Sequence, residues 1–247
     1  MKKLFAVLLA LVSVMSFSAC EDKDEKPSEI HSSAEETVKN NELEEAIKEN
    51  YSASFEDFEF GVSENGAYTS NFGGIKFNAP ENYIFSTREE ILEMMNMGTE
   101  VLDDDMLDMY SLVAQQTTVY DMLAKDAVTG DNVIVLYENL RAYGENAPDV
   151  YTAELYVDAM DTQFETMNTG IIYTPVSREN VTLAGKEFLK AEYSCQYELM
   201  GDVSMTQIYY VRKDGDYITG VIISTGFNEK SLSAEELEAC FEAVDAE

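Results

Sequence analysis

Tryptophan is absent from this 247-residue chain, and histidine occurs once, at position 31. His31 lies in a charged segment near the N-terminus, so the part of the chain expected to be globular carries no histidine. Serine–histidine and cysteine–histidine nucleophiles, and histidine-ligated zinc or iron, are therefore excluded from that part. The sequence also lacks a phosphate-binding P-loop and the GxGxxG pattern of dinucleotide-binding folds. We expect a protein that is not an enzyme and needs no cofactor.

Basic residues are scarce. The chain has 16 lysines and arginines against 48 aspartates and glutamates, for a net charge of −32. Such a surface repels the phosphate backbone, which excludes nucleic acid as a partner. The charge would attract cations or a basic partner, or it simply keeps the protein soluble.

The first twenty residues indicate export. Lys2 and Lys3 precede an apolar stretch, residues 4–19, which is shorter than the roughly 20 residues that span a bilayer. The stretch ends in SFSAC, with small residues directly before Cys20, as in a cleaved secretory signal. It resembles the lipobox of bacterial lipoproteins, although Phe17 stands where leucine is usual. That resemblance implies lipidation of Cys20, and two acyl chains suffice for stable anchoring. The alternative is an ordinary signal peptide with an incidental cysteine.

The chain therefore divides into three parts. Residues 1–19 are the expected signal peptide, residues 20–50 are the lipidated cysteine and an acidic tether, and residues 51–247 form one domain. We expect the domain on the outer face of a bacterial cytoplasmic membrane, or on the outer membrane of a Gram-negative envelope. Its expected partners are the membrane, through the anchor, and an unknown envelope protein.

Periodicity predicts an alternation of short strands and helices. A hairpin turns at Asn65-Gly66, two strands flank Pro80, and Ser86 and Thr87 cap a helix. The further predicted elements are a helix over 101–114, strands over 118–126 and 132–140, a helix over 152–167, strands over 176–183, 186–199, 204–213 and 216–224, and a final helix that turns Leu237, Cys240, Phe241 and Val244 inward. This order predicts an α+β fold, with a mainly antiparallel sheet covered by helices on both faces.

The order of elements resembles the PsbP-like fold. The segments that carry the resemblance are residues 75–87, 120–140, 152–160, 183–195 and 207–224. The resemblance implies an α/β/α sandwich that acts by docking to partners, as a non-enzymatic binding or assembly module. It transfers no functional residue, since a fold does not fix a function.

The densest acidic cluster is VLDDDMLDMY, residues 101–110. On a helix, Asp104, Asp105 and Asp108 share one face, and hard cations such as Ca²⁺ prefer carboxylate oxygens. These residues are the candidate ligands for Ca²⁺ or Mn²⁺. The alternative is a solvated helix face, because the segment has no EF-hand spacing.

Two cysteines remain beyond Cys20. Alternation along the predicted strand turns Cys195 toward a covering helix, and Cys240 faces inward from the last helix. The two thiols either form a disulfide or stay reduced in the core.

Three functional hypotheses follow. The leading one is a membrane-anchored binding or accessory module for another envelope component. The second is a divalent-cation-binding domain that uses the acidic helix, and the third is an envelope hydrolase that uses paired carboxylates.

Overall fold

The computed structural model describes residues 58–91, 118–166, 170–197 and 204–244. The described part contains eleven strands, and their bounds are β1 (Val62–Glu64), β2 (Ala67–Ser70), β3 (Ile75–Asn78), β4 (Tyr83–Phe85), β5 (Thr118–Asp126), β6 (Asn132–Asn139), β7 (Ile171–Leu183), β8 (Lys186–Tyr197), β9 (Ser204–Asp214), β10 (Tyr217–Thr225) and β11 (Phe241–Ala243). Its helices are a 3₁₀ helix (Leu140–Tyr143), α1 (Ala147–Val150), α2 (Ala153–Phe164) and α3 (Ala234–Glu238). A further helix begins at Arg88.

The strands form two antiparallel sheets. The large sheet has the order β4-β5-β6-β10-β9-β8-β7, and the small sheet has the order β1-β2-β3-β11. Every neighbouring pair of strands runs antiparallel. Local turns set most of the pairing, as at Asn65 and Gly66, where positive φ angles of 51° and 77° close the β1–β2 hairpin.

The helix ends follow local capping rules. The Thr152 side chain accepts a hydrogen bond from the Leu155 N–H at the start of α2. Ser233 and Glu236 form a capping box at the start of α3. Thr87 caps the helix that begins at Arg88, since its hydroxyl accepts from the Glu90 N–H at 3.2 Å.

The two faces of the large sheet are covered by different layers. One face, here called the helix face, packs against α2, whose Tyr156, Val157 and Met160 are buried. The other face, here called the small-sheet face, packs against β2, β3, β11 and α3, for example through Phe77 and Leu237. Alternate residues of each strand enter one core or the other, because side chains in a strand point to opposite faces.

The prediction of helices on both faces of the sheet was wrong. A helix covers one face, and the small sheet covers most of the other, so the protein is a sandwich of two sheets with a helix layer on one side. The predicted last helix ends at Glu238, and Phe241–Ala243 instead pairs with β3. The prediction failed because this pairing joins segments more than 160 residues apart in the chain, which a local pattern does not reveal.

Candidate functional site

The large sheet opens between β9 and β8, the strand next to its β7 edge. β8 and β9 pair from Gln196↔Ser204 as far as Leu189↔Val211 and not beyond. Past that point β8 still pairs with β7, down to Lys186, and β9 still pairs with β10, up to Asp214. The two strands therefore separate, and the first three residues of β8 and the last three of β9 leave the sheet open at this end.

An open pocket of about 540 Å³ fills this divergence, and we call it the split-strand pocket. Phe188, Leu189 and Val211 contribute its apolar lining, and the junction of α1 and α2 contributes Tyr151 and Ala153. The volume lies within the range of about 300–1,000 Å³ that is typical of small-molecule sites.

Charged side chains of both signs line the same pocket. Arg212 and Lys213 come from β9, and Glu187 and Asp149 come from β8 and α1. The Arg212 guanidinium lies 5.2 Å from the centre of the Phe188 ring, forms an ion pair with Asp214 and donates to the Gly73 carbonyl at 3.3 Å. Phe188 belongs to the small-sheet core, so the Arg212 guanidinium is held by partners on that face of the sheet. On the helix face, the pocket combines apolar contact area from Leu189 and Val211 with the charged residues Lys213, Glu187 and Asp149, and such a mixture suits a binding site.

A buried carboxyl group lies behind the α1–α2 wall of the pocket. Glu138, on the helix face of β6, has no exposed surface. It accepts one hydrogen bond from the Tyr143 hydroxyl at 2.5 Å and another from the Tyr156 hydroxyl. Burial raises the pKa of Glu138 to about 7, against the opposing effect of the two tyrosines. This single carboxyl group therefore connects the 3₁₀ helix and α2 to the sheet.

A second buried carboxyl group lies on the small-sheet face. Asp121 occupies a β-bulge between Tyr120 and Met122, where it is left out of the β5–β6 register. Its Oδ1 lies 3.3 Å from the Arg88 guanidinium, and both side chains are at most 8% exposed. The Tyr68 hydroxyl and the Gly61 N–H also donate to it, at 2.6 and 3.0 Å. Burial raises the pKa of Asp121, and Arg88 opposes that effect.

The predicted site residues are distributed as follows. Cys195 is buried on the helix face, whereas Cys240 is partly exposed beside the small-sheet core, and both are free thiols. The proposed lipidation site and the proposed metal ligands lie outside the described residues, and they are Cys20, Asp104, Asp105 and Asp108. Within the described ranges, no three His, Cys, Asp or Glu residues are grouped so that they could hold a metal ion. No helix among the same residues has the length and hydropathy needed to cross a membrane.

The prediction missed Glu138, although the sequence held a signal for it. Asn132, Ile134, Leu136 and Glu138 alternate along β6 and face the same side of the sheet. A glutamate that continues an apolar alternation is a candidate for burial. The split-strand pocket had no such signal, because it arises from where two strands stop pairing.

The fold and the pocket define a class: an antiparallel two-sheet sandwich with one helix layer and an open pocket of mixed polarity. No family model matches the chain, and no curated protein matches it. Among solved structures, the solution structure of cyanobacterial PsbP (CyanoP) from Synechocystis sp. PCC 6803 is similar at 12% identity and a TM-score of 0.42. That match covers 74% of this chain and 95% of the cyanobacterial one.

A crystal structure from Bacteroides thetaiotaomicron is similar at 11% identity and a TM-score of 0.35. It covers 73% of this chain and 49% of the other. A likeness at this level transfers no residue, partner or activity.

Proposed function

We propose that this protein is a lipid-anchored, extracytoplasmic binding module that recognises another component of the bacterial envelope through the split-strand pocket. The observation that supports the proposal is the pocket itself, in which Lys213, Glu187 and Asp149 stand beside an apolar lining of Leu189 and Val211. Because charges of both signs border this apolar lining, the pocket favours a ligand segment that carries both polar and apolar groups.

The pocket is tested by photo-crosslinking in cells that express the full chain. A photo-reactive amino acid replaces Asn180 or Lys213 at the pocket, or Glu64 on exposed β1 as the control. We expect one defined adduct from both pocket positions and none from the control position. Ala153→Trp, which places a large ring at the pocket wall, should abolish that adduct. Equal adducts from Glu64, or adducts that Ala153→Trp leaves unchanged, would contradict the proposal.

The anchor is tested separately. Cys20→Ser should move the protein from the membrane fraction to the soluble extracytoplasmic fraction, because it removes the thiol that carries the lipid. Mass spectrometry of the wild-type N-terminus should show a diacylglyceryl group on Cys20. A variant that stays in the membrane fraction would contradict lipid anchoring through this residue.

A further inference from the structure

A second cluster of buried polar groups lies at the end of the large sheet remote from the split-strand pocket. Asp126 ends β5, and Asp131 directly precedes β6. The Asp126 N–H donates to the Asp131 carbonyl at 2.8 Å, which holds the two residues opposite each other. Both aspartates are at most 5% exposed, so two carboxyl groups are buried side by side.

The hydrogen bonds around the two carboxyl groups leave one oxygen of Asp131 unused. Oδ1 of Asp126 accepts from the Val128 and Thr129 N–H groups at 2.6 and 3.1 Å. Oδ1 of Asp131 accepts from the Ser231 hydroxyl at 2.8 Å. Burial raises the pKa of Asp131, and hydrogen bonds from Ser231, the Thr129 side chain and the Phe227 backbone oppose that effect. Oδ2 of Asp131 is buried and has no hydrogen-bond partner. A buried carboxylate oxygen in that state is costly unless something else binds it.

A second buried oxygen without a partner lies in the same row of side chains. The hydroxyl of Tyr83, on β4, is buried and makes no hydrogen bond. Tyr83 is paired with Asp126 across β4 and β5, and Asp126 is hydrogen-bonded to Asp131, so the three side chains stand on the same face of the sheet. Three buried side chains that end in oxygen atoms are therefore neighbours across the strands.

No basic side chain of the described ranges forms an ion pair with either aspartate. Two neighbouring buried carboxylates repel each other and lose hydration, so a bound cation would offset both costs. We propose that Asp126 and Asp131 bind one Ca²⁺ ion, Asp131 through its unused Oδ2, with the Tyr83 hydroxyl contacting a water ligand of the ion.

The chemistry selects calcium among common cations. The candidate ligand atoms are all oxygens, which hard cations prefer. Ca²⁺ accepts irregular sets of six to eight oxygens, whereas Mg²⁺ requires a regular octahedron. Two carboxylates balance the charge of the ion. With so few protein ligands, the expected dissociation constant is about 10⁻⁴–10⁻³ M, the range of extracellular calcium modules. This inference does not depend on the split-strand pocket.

The test is calorimetric titration of the purified full-length protein with CaCl₂ in 150 mM KCl. We expect one saturable site in the wild type, and Asp131→Asn should weaken it at least tenfold. Glu64→Gln removes one exposed negative charge from β1 and should leave the affinity unchanged. With the wild type, 10 mM CaCl₂ should also raise the unfolding midpoint by about 3–8 °C.

The absence of a saturable site would overturn the proposal, and so would an unchanged affinity in Asp131→Asn. If the site disappears only when Asp104, Asp105 and Asp108 are replaced by asparagine, the acidic helix binds the ion and the proposal fails. Should Asp131→Asn not fold, Asp126→Asn decides the question. An asparagine amide oxygen at 126 can still accept from Val128 and Thr129, so this variant keeps the turn and loses only the charge.

Discussion

Asp121 on the small-sheet face of the large sheet and Glu138 on its helix face are both buried carboxyl groups, and the two faces stabilise them by different means. On the small-sheet face, Asp121 faces Arg88, and the Tyr68 hydroxyl and a backbone N–H complete its hydrogen bonds. On the helix face, Glu138 has only two tyrosine hydroxyls as close partners. Geometry explains this difference, because a bulge admits Asp121 beside the start of a helix, whereas Glu138 lies in a regular strand under α2.

The comparison shows that burial alone does not determine how an acid behaves. An arginine beside a carboxylate favours its charged form, whereas a site without a cation favours the neutral form. Asp121 is thus part of an ion pair whose members depend on each other. Glu138 is a group whose charge can change near neutral pH, one layer behind the wall of the split-strand pocket.

The largest expected effect comes from breaking the ion pair. Arg88→Met keeps most of the side-chain volume and leaves Asp121 buried without its cation, so we expect a loss of about 3–5 kcal/mol in the free energy of unfolding. Urea unfolding at pH 7 measures this loss. Arg141→Met is the matched control, since its partner Asp216 and Arg141 itself are 43% and 57% exposed. The control should change the stability little, because an exposed ion pair contributes weakly.

A double variant sharpens the same test. Arg88→Met combined with Asp121→Asn removes both charges, so part of the lost stability should return. If the double variant loses as much free energy of unfolding as the two single variants together, the loss reflects packing. The ion pair would then not distinguish the site of Asp121 from that of Glu138.

The second prediction concerns pH. The pKa of Glu138 is about 7 in the folded protein, above its ordinary value of 4.5, so the folded state holds the proton more tightly than the unfolded chain. Its contribution is fully present below pH 4.5 and is lost as pH rises through 7, by about 3 kcal/mol in total. Unfolding of the wild type and Glu138→Gln should therefore differ by an amount that changes with pH across this window.

The control for this prediction is Glu154→Gln, an exposed position in the first turn of α2. Its difference from the wild type gives the baseline for removing one exposed carboxylate. A constant difference for Glu138→Gln would show that the buried carboxyl group does not titrate in this range.

The third prediction compares the stability lost when the tyrosine beside each buried carboxyl group is replaced by phenylalanine. Tyr156→Phe removes one of two close donors from Glu138, and we expect it to cost about 1–3 kcal/mol. Tyr68→Phe should cost less, because Arg88 and the Gly61 N–H still bind Asp121. Urea unfolding of both variants at pH 7 measures the order. The reverse order would mean that the arginine does not support Asp121.

The sequence predicted most of the strands and little of their assembly. The continuous apolar run from Val133 to Tyr137 indicates a strand covered on both faces, and β6, which is buried along its whole length, confirms it. Asn65-Gly66 predicted its hairpin because the turn residues are local. The strand before β8 was predicted to begin after Pro175, but β7 begins at Ile171, since proline is tolerated in an edge strand. The small sheet and the split-strand pocket depend on pairings between distant segments, and periodicity carries no information about those.

The last prediction compares the reactivity of the Cys195 thiol on the helix face with that of the Cys240 thiol on the small-sheet face. Burial raises the pKa of Cys195 to about 12 on the helix face, while Cys240 is partly exposed beside the small-sheet core. A Cys20→Ser variant should therefore show one thiol that reacts with a disulfide reagent in the folded state at pH 8, and a second that reacts only after unfolding in urea. Cys240→Ser should remove the reactive thiol, and a reductant should leave the unfolding midpoint unchanged. Two thiols that react only after reduction would instead demonstrate a disulfide between Cys195 and Cys240. Cys195 and Cys240 could not then lie on opposite faces of the large sheet.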